Sequence, residues 1–173
     1  MKREEFAKAQ INKYPQKNLI LSDIPDWVQV GYNVHIAKGV NFSPRGFGYI
    51  KIDGKYKHIP HSGRVVIEDN VEIFEGVNIV RATADDGITY IRNGTKINSG
   101  CHIAHNVHIG ENCLIMAGVI ISGSAKIGNN CQIGIGAMIR NKIEIGDNVI
   151  IGMGSVVVKN IKKGSTVWGN PTK

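Results

Sequence analysis

Three histidines stand three residues apart in the segment CHIAHNVHIG, at positions 102, 105 and 108. Imidazoles at such a spacing can ligate a metal ion, supply one catalytic base or lie solvated on a surface. A metal site would need all three rings on one face of the local structure. The chemistry therefore depends on the periodicity of the chain around them.

That periodicity is six. Of the sixteen positions taken in steps of six from Ile67 to Val157, fourteen are Ile, and Asp85 is one of the two exceptions. Three positions after each of them, Asn or Gly fills twelve of the sixteen slots. Neither a period of 3.6 nor simple alternation produces this pattern. A hexapeptide repeat is typical of a β-helix.

The repeat predicts a triangular coil built from three hexads, or eighteen residues. Each short strand points its Ile inward, and Asn or Gly suits the left-handed backbone of the turn that follows. Stacked coils bury their Ile in continuous ladders. A second, small position four residues after each Ile also points inward, and all three cysteines occupy it, as buried filler rather than reactive thiols: Cys101, Cys113 and Cys131.

Two segments interrupt the period. The stretch at 44–63 alternates and contains an Asp-Gly pair, which predicts a protruding hairpin. At 81–90, Asp85 falls on an inward slot, where a bare carboxylate is not tolerated, so we expect an outward loop that exposes Asp85 and Asp86. The predicted divisions are an N-terminal arm at 1–29 with a short helix, a β-helix at 30–162 with the insertion at 44–63, and a C-terminal tail at 163–173.

Composition narrows the class of protein. The 173 residues carry a net charge of +7, which raises nucleic acid and phosphorylated ligands as partners. No nucleic-acid-binding motif appears, so we expect a solvated basic surface or a basic cleft for phosphates. No run is long enough to span a membrane. The charged start and the three cysteines favour a reduced, cytoplasmic location.

The period also separates the three histidines. His105 takes the third position of its hexad, whereas His102 and His108 take the sixth. They should therefore not share one face, which disfavours a metal site and leaves a single catalytic base or a solvated imidazole.

The segment IAHNVHIG resembles the active-site stretch of the hexapeptide-repeat acyltransferases. The chain is most similar to the N-acyltransferases that act on UDP-3-O-acylglucosamine in lipid A synthesis, whose segments GFGY, KIPQxGRVxIGDxVEI and ALDD have counterparts here in the same order. The counterparts are GFGY at 46–49, KHIPHSGRVVIEDNVEI at 57–73 and ADDG at 84–87. The resemblance covers about residues 30 to 160; the family's N-terminal nucleotide-binding domain and its C-terminal helical extension lie outside it.

The resemblance implies a left-handed β-helix and a homotrimer with active sites between neighbouring chains. It implies that His105 is the general base and that the backbone N–H of Gly123, one coil later, stabilises the oxyanion. The family's second histidine falls on Lys142, which we expect to bind substrate. Phe47 and Tyr49 of GFGY are further candidates to bind the acceptor.

Asp86 and Asn106 are candidates to orient His105, and Asp85 to do so or to bind the acceptor.

The tail WGNPTK resembles the GNPAK ending of acetyl-CoA-dependent sugar acetyltransferases, which implies acetyl-CoA as the acyl donor. The expected coenzyme contacts are backbone amides at small residues of the later coils, together with tail residues near the adenine or its 3′-phosphate: Gly134, Gly136, Ala137, Gly152, Gly154, Asn170, Pro171 and Lys173.

Three interpretations stay open at this point. The first is an acetyl-CoA-dependent transferase that acetylates an amino group of a nucleotide-linked sugar. The second is an N-acyltransferase of the lipid A type that uses an acidic acyl carrier protein, or a sugar O-acetyltransferase, since one histidine base serves either transfer. The third is a metal-dependent lyase or a noncatalytic solenoid.

Overall fold

The computed structural model describes residues 19–172 and contains three parallel sheets and one antiparallel hairpin. The helix predicted within residues 1–18 lies outside the described residues, as does Lys173. Within 19–172 every regular element is a strand, and no helix long and apolar enough to cross a membrane is found there.

The three sheets form the sides of a triangular solenoid, and the chain visits them in turn. Sheet A contains β1 (Leu19–Ile20), β3 (His35–Ile36), β8 (Glu72–Ile73), β11 (Lys96–Ile97), β14 (Leu114–Ile115), β17 (Gln132–Ile133), β20 (Ile150–Ile151) and β22 (Thr166–Val167). Sheet B contains β2 (Val28–Val30), β7 (Arg64–Ile67), β10 (Ile88–Ile91), β13 (His108–Ile109), β16 (Lys126–Ile127) and β19 (Glu144–Ile145). Sheet C contains β4 (Asn41–Ser43), β9 (Asn78–Val80), β12 (His102–Ile103), β15 (Ile120–Ile121), β18 (Met138–Ile139) and β21 (Val156–Val157).

The coils stack with the predicted spacing. Ile91 pairs with Ile109 and Ile103 pairs with Ile121, each eighteen positions on. Apart from Asp85, the residues of the six-residue series are buried and form interior ladders. The three cysteines are buried and free, which agrees with their predicted role as filler.

Both interruptions of the period leave the solenoid as predicted. Strands β5 (Tyr49–Ile52) and β6 (Lys55–His58) form the hairpin, closed by an Asp53–Gly54 turn with positive φ at both residues. Around the second interruption, Ile67 pairs with Ile91, 24 positions on rather than 18. Asp85 is exposed, and Ile91 takes the inward position in its place.

The stacked strands extend beyond the predicted bounds of the β-helix. Strand β1 pairs with β3, so stacking begins at Leu19 within the segment assigned to the arm. Strand β22 pairs with β20, so stacking reaches Val167 within the segment assigned to the tail. The six-residue period does not continue to either end of the chain, so the sequence did not predict these two strands.

The ladder explains why two adjacent isoleucines should differ in their contribution to stability. Ile151 is 1% exposed, whereas Ile150, in the same strand, points outward and is 44% exposed. We expect Ile151→Ala to lower the free energy of unfolding by about 2–5 kcal/mol through lost burial and a residual cavity. Ile150→Ala should cost less than about 1 kcal/mol. Urea unfolding of both variants tests this, and equal losses would contradict the inward ladder.

Candidate functional site

His105 lies at the corner where the chain passes from sheet C to sheet B. It sits between β12 and β13, is half-buried, and precedes Asn106, which has a φ of 58°. The left-handed turn at Asn106 brings its side-chain amide beside the imidazole. The Nδ1 atom of His105 lies 3.0 Å from Oδ1 of Asn106.

The contacts of Asn106 determine which nitrogen of His105 carries the proton. Its Oδ1 accepts from the backbone N–H of Thr83 at 3.2 Å and from the Thr83 hydroxyl at 2.9 Å. A backbone N–H can only donate, so the Asn106 atom that faces it must be oxygen. The Nδ1 atom of His105, which faces the same oxygen, therefore carries the hydrogen. The Nε2 atom keeps its lone pair, as a general base requires.

Thr89 holds the turn from inside the coil. Its hydroxyl donates to the carbonyl of Val80 at 2.8 Å and accepts from the backbone N–H of Asn106 at 2.9 Å. Sequence reasoning placed Thr83 and Thr89 among the small inward positions and missed both as parts of the site. The threonine hydroxyls could have pointed to these roles, because a hydroxyl at an inward position requires hydrogen-bond partners.

Gly123 packs directly against the imidazole from the next coil. A Cβ built on Gly123 would lie 2.6 Å from both Cε1 and Nε2 of His105, so any larger residue would displace the ring. The carbonyl of Gly123 accepts from the N–H of Lys142 at 3.0 Å. Its own N–H has no protein acceptor within the described part of the chain. The predicted neighbourhood of His105 and Gly123 is present.

The hairpin brings a second histidine, His61, against His105. The two ring centroids are 5.3 Å apart at 82°, and His61 is only 7% exposed. Its Nδ1 lies 3.0 Å from the carbonyl of Ile59, which can only accept, so Nδ1 carries the hydrogen. Its Nε2 is buried without a partner among the described residues, and a Cβ on Gly46 would lie 2.4 Å from it. Sequence reasoning placed His61 in the hairpin but not in the site.

A cleft of about 490 Å³ opens beside His105. His105 and Gly123 line it together with Arg45 and Phe47 from the start of the insertion and His102 from β12. The Phe47 side chain is 93% exposed. A row of ring contacts leads from it through the hairpin to the corner that carries His105: Phe47 to Tyr49, Tyr49 to His58, His58 to His61, and His61 to His105.

The two aspartates do not orient His105 in this structure. The side chains of Asp85 and Asp86 are exposed, and the hydrogen-bond partner of Nδ1 is Asn106. Of the three residues predicted to orient the ring, only Asn106 contacts its Nδ1 atom in the described part of the chain. The loop at 81–90 contributes Thr83 instead. Its Thr83 peptide faces Asn106, whereas the tip of the loop, with both aspartates, faces solvent.

Lys142 occupies the same corner two coils above Asn106. It has a φ of 59°, matching 58° at Asn106 and 60° at Ser124, and its side chain is exposed. The structure thus places it along the edge that His105 and Gly123 share, beyond Gly123.

The small residues proposed for the coenzyme lie at the corner between sheets A and C. The expectation that they present free amides is wrong, because every one of these N–H groups donates to a carbonyl within the coils: Gly134 to Ile151, Gly136 to Ala117, Ala137 to Gly134, Gly152 to Val167 and Gly154 to Ile135. Ala137 is also fully buried. Asn170 and Pro171 are exposed and joined by a cis peptide bond.

The flanking histidines lie on different sides of the solenoid. His102 points outward from sheet C, and His108 points outward from sheet B, where its Nε2 lies 3.2 Å from the carbonyl of Ile88. In the described range no group of three or more His, Cys, Asp or Glu side chains is arranged to hold a metal ion.

Comparisons with known proteins relate part of the chain to a family of bacterial transferases. Residues 88–123 and 124–159 match the bacterial transferase hexapeptide model of six repeats. A UDP-3-O-acylglucosamine N-acyltransferase from Methylorubrum populi is 43% identical over 94 residues, which is 54% of this chain and 26% of that protein. The chain thus spans about a quarter of the length of the curated relatives it matches. Residues 88–159 therefore carry the repeats of the hexapeptide transferase family, and about half of the chain is similar to the Methylorubrum enzyme.

Solved structures share the left-handed β-helix. The UDP-N-acetylglucosamine acyltransferase from Campylobacter jejuni superimposes with a TM-score of 0.70 at 24% identity, covering 86% of this chain and 62% of that one. PerB from Caulobacter crescentus, solved with CoA and GDP-perosamine, gives a TM-score of 0.52 at 18% identity and covers 99% of this chain and 63% of its own. These likenesses establish the fold.

Burial of His61 predicts a pH dependence of stability. Desolvation, with smaller effects of His105, His58 and Arg81, lowers its pKa below the ordinary value of 6.5, against an opposing hydrogen bond to Ile59. The unfolded chain then binds a proton more readily, so stability should fall as the pH drops from about 7 to about 5. His61→Gln should reduce this slope in thermal unfolding measurements.

His108→Gln, which removes a histidine at an exposed site away from His61, is the matched control. His102, whose pKa burial also lowers, should leave part of the slope in the His61 variant. A slope unchanged by His61→Gln would contradict the proposal that His61 is buried as a neutral ring.

Proposed function

We propose that the protein is an acyltransferase that moves an acetyl group from a thioester, acetyl-CoA, to the amino group of a nucleotide-linked amino sugar. The observation that carries the proposal is the geometry at the corner. The lone pair of His105 Nε2 is free because Asn106 takes the other nitrogen's hydrogen, and the backbone of Gly123 lies against the same edge of the ring.

In this reaction the acceptor nitrogen attacks the thioester carbonyl while Nε2 of His105 takes a proton from that nitrogen. The oxygen of the tetrahedral intermediate becomes negative, and the N–H of Gly123 is the donor available to stabilise it. When the intermediate collapses, the carbon–sulfur bond breaks and the imidazolium returns the proton to the leaving thiolate. Asn106 keeps the ring in one tautomer throughout.

The acceptor is proposed to occupy the side of the cleft formed by the insertions. Phe47 offers an exposed ring for stacking on a base or sugar, with Tyr49 behind it. Lys142 lies farther along the same corner and suits a phosphate or carboxylate. Asp85, on the loop that contacts Asn106, is a candidate to contact the acceptor amine. The Methylorubrum relatives, named as N-acyltransferases of a UDP-sugar, support an acceptor of this class.

Acetyl-CoA is the proposed donor because of the tail. Asn170 and Pro171 are exposed beyond the last strand, and the Trp168 side chain just before them lies against Gly152. The backbone amides of the small residues are already hydrogen-bonded within the coils, so these residues would assist coenzyme binding only through their small size. They are Gly134, Gly136, Ala137, Gly152 and Gly154. A protein of the same fold was solved with CoA bound. An acyl carrier protein, the donor of the lipid A type, would instead use the basic surface.

The decisive experiment incubates the protein with acetyl-CoA and a panel of UDP-, dTDP- and GDP-linked amino sugars and hydroxyl analogues. Mass spectrometry of the products should show acetylation of an amino sugar. Acylation only with acyl carrier protein would establish the alternative donor, and modification only of hydroxyl analogues would establish O-transfer. No product with either donor would overturn the proposed activity.

His105→Ala should lower kcat by about a hundredfold or more, the loss expected when a general base is removed. His108→Ala is the matched control, because His108 points away from the cleft on sheet B, and its kcat should change by less than about twofold. Steady-state kinetics with the accepted sugar measures both. Equal losses at the two positions would contradict the role of His105.

The active form is proposed to be a homotrimer. The cleft is shallow on one chain, and small-molecule sites between subunits supply concavity. An exposed apolar strip runs beside the cleft on sheet C and its corner, formed by Ile120, Met138, Ile135 and Met153. A neighbouring chain would cover it and add its own Lys142 to the cleft. Light scattering should give three times the monomer mass of 18.9 kDa; a fully active monomer would contradict the shared cleft.

A further inference from the structure

A ladder of polar side chains climbs the outer face of sheet C and ends at the cleft. Asn41, Asn78 and His102 are successive partners in register. The Nδ2 of Asn41 donates to Oδ1 of Asn78 at 2.6 Å, and the Nδ2 of Asn78 lies 3.0 Å from Nδ1 of His102. The two amides thus point in the same direction, toward the imidazole.

With the amides in this orientation, the Nδ2 of Asn78 donates to Nδ1 of His102, which then accepts and carries no hydrogen. The hydrogen of the neutral ring is then on Nε2. Partial burial lowers the pKa of His102, which favours the neutral ring at physiological pH. The result is opposite to His105, whose Nδ1 carries the hydrogen.

His102 lines the same cleft as His105 and Gly123. It belongs to the coil of His105, and Ile120 takes the corresponding place in the coil of Gly123. The polar ladder therefore ends at the height of the base, and in the same column the next coil, where the thioester carbonyl would meet Gly123, carries the apolar side chain of Ile120. A donor at the lower level faces the acceptor rather than the acyl group.

We infer that His102 is a specificity-determining residue whose Nε2–H donates a hydrogen bond to a neutral oxygen of the acceptor sugar next to the nucleophile. This inference rests on the proposed function. A neutral donor favours a hydroxyl, carbonyl or ring oxygen and offers a phosphate no charge. The acceptor class is thereby narrowed to sugars that carry such an oxygen beside the reacting amine.

The tautomer can be measured without a substrate. In protein labelled with ¹⁵N-histidine, two-bond ¹⁵N–¹H spectra at about pH 8, above the ordinary histidine pKa of about 6.5, should show His102 protonated on Nε2. The His102→Gln variant assigns the signal. Asn78→Asp places a carboxylate opposite Nδ1 at nearly unchanged shape, and should move the hydrogen to Nδ1. An Nδ1–H tautomer in the wild type would overturn the inference.

Kinetics then tests the contact itself. His102→Phe keeps a ring and removes the donor, and should raise the KM for the acceptor sugar about tenfold, the loss of one hydrogen bond. Asn78→Asp should do the same through the switched tautomer. His102→Gln restores an N–H donor and should stay within about threefold of the wild type. The KM for acetyl-CoA should not change in any of them, and His108→Phe is the matched control outside the cleft.

The outcomes separate the two proposals. Acyl transfer with an acceptor KM unaffected by His102→Phe would overturn the role of His102 and leave the function standing. A parallel loss of kcat and thermal stability in His102→Phe and His102→Gln would show a merely structural role and overturn it as well. An Nε2–H tautomer without turnover of any acceptor would overturn the proposed function, and with it the role of His102 toward the acceptor.

Discussion

The register of the stacked coils is the constraint on which the rest of the structure depends. Backbone hydrogen bonds between coils, with an Ile under each strand, make residues eighteen apart into neighbours. A slip in this register would lift Ile from the ladders into solvent, so burial of the ladders also fixes the outer surface. Gly123 touches His105 for this reason alone. No additional contact is needed to bring the two residues together. The stacking that buries Ile103 and Ile121 also aligns the two turns that follow them.

Two residues that contact the turn of His105 come from the places where the period breaks. Thr83 lies on the extra loop before β10, and His61 lies at the end of the hairpin insertion, and both reach the turn that carries His105. An uninterrupted solenoid offers only turn residues and outward strand residues. Loops that leave the stacked coils can place a hydroxyl, a peptide N–H or a ring against that turn. Functional sites are where the regular sequence pattern of a fold is expected to be interrupted.

The sequence predicts most of the solenoid because one number, six, describes it. The period located both interruptions and placed Gly123 over His105. It could not choose between Asp86 and Asn106 as the partner of the imidazole, since that depends on the path of the loop at 81–90. It also misjudged the glycines at 134 and 152. Their small size fits the close approach of the next coil, as the Cβ clashes with Met153 N and Trp168 Cβ show, and their amides are engaged in stacking.

His105 occupies a particular level of the stack. Its coil is contacted by both insertions, through His61 and Thr83, and the coil of Gly123 follows it. Below this level the outer face of sheet C carries amides and an imidazole; above it the same column continues with Ile120 and Met138. The proposed sugar acceptor and the pantetheine arm of the proposed donor would approach from opposite sides of such a boundary. The reacting carbonyl would then meet the amine where the polar and apolar halves join, which is where the free lone pair of His105 lies.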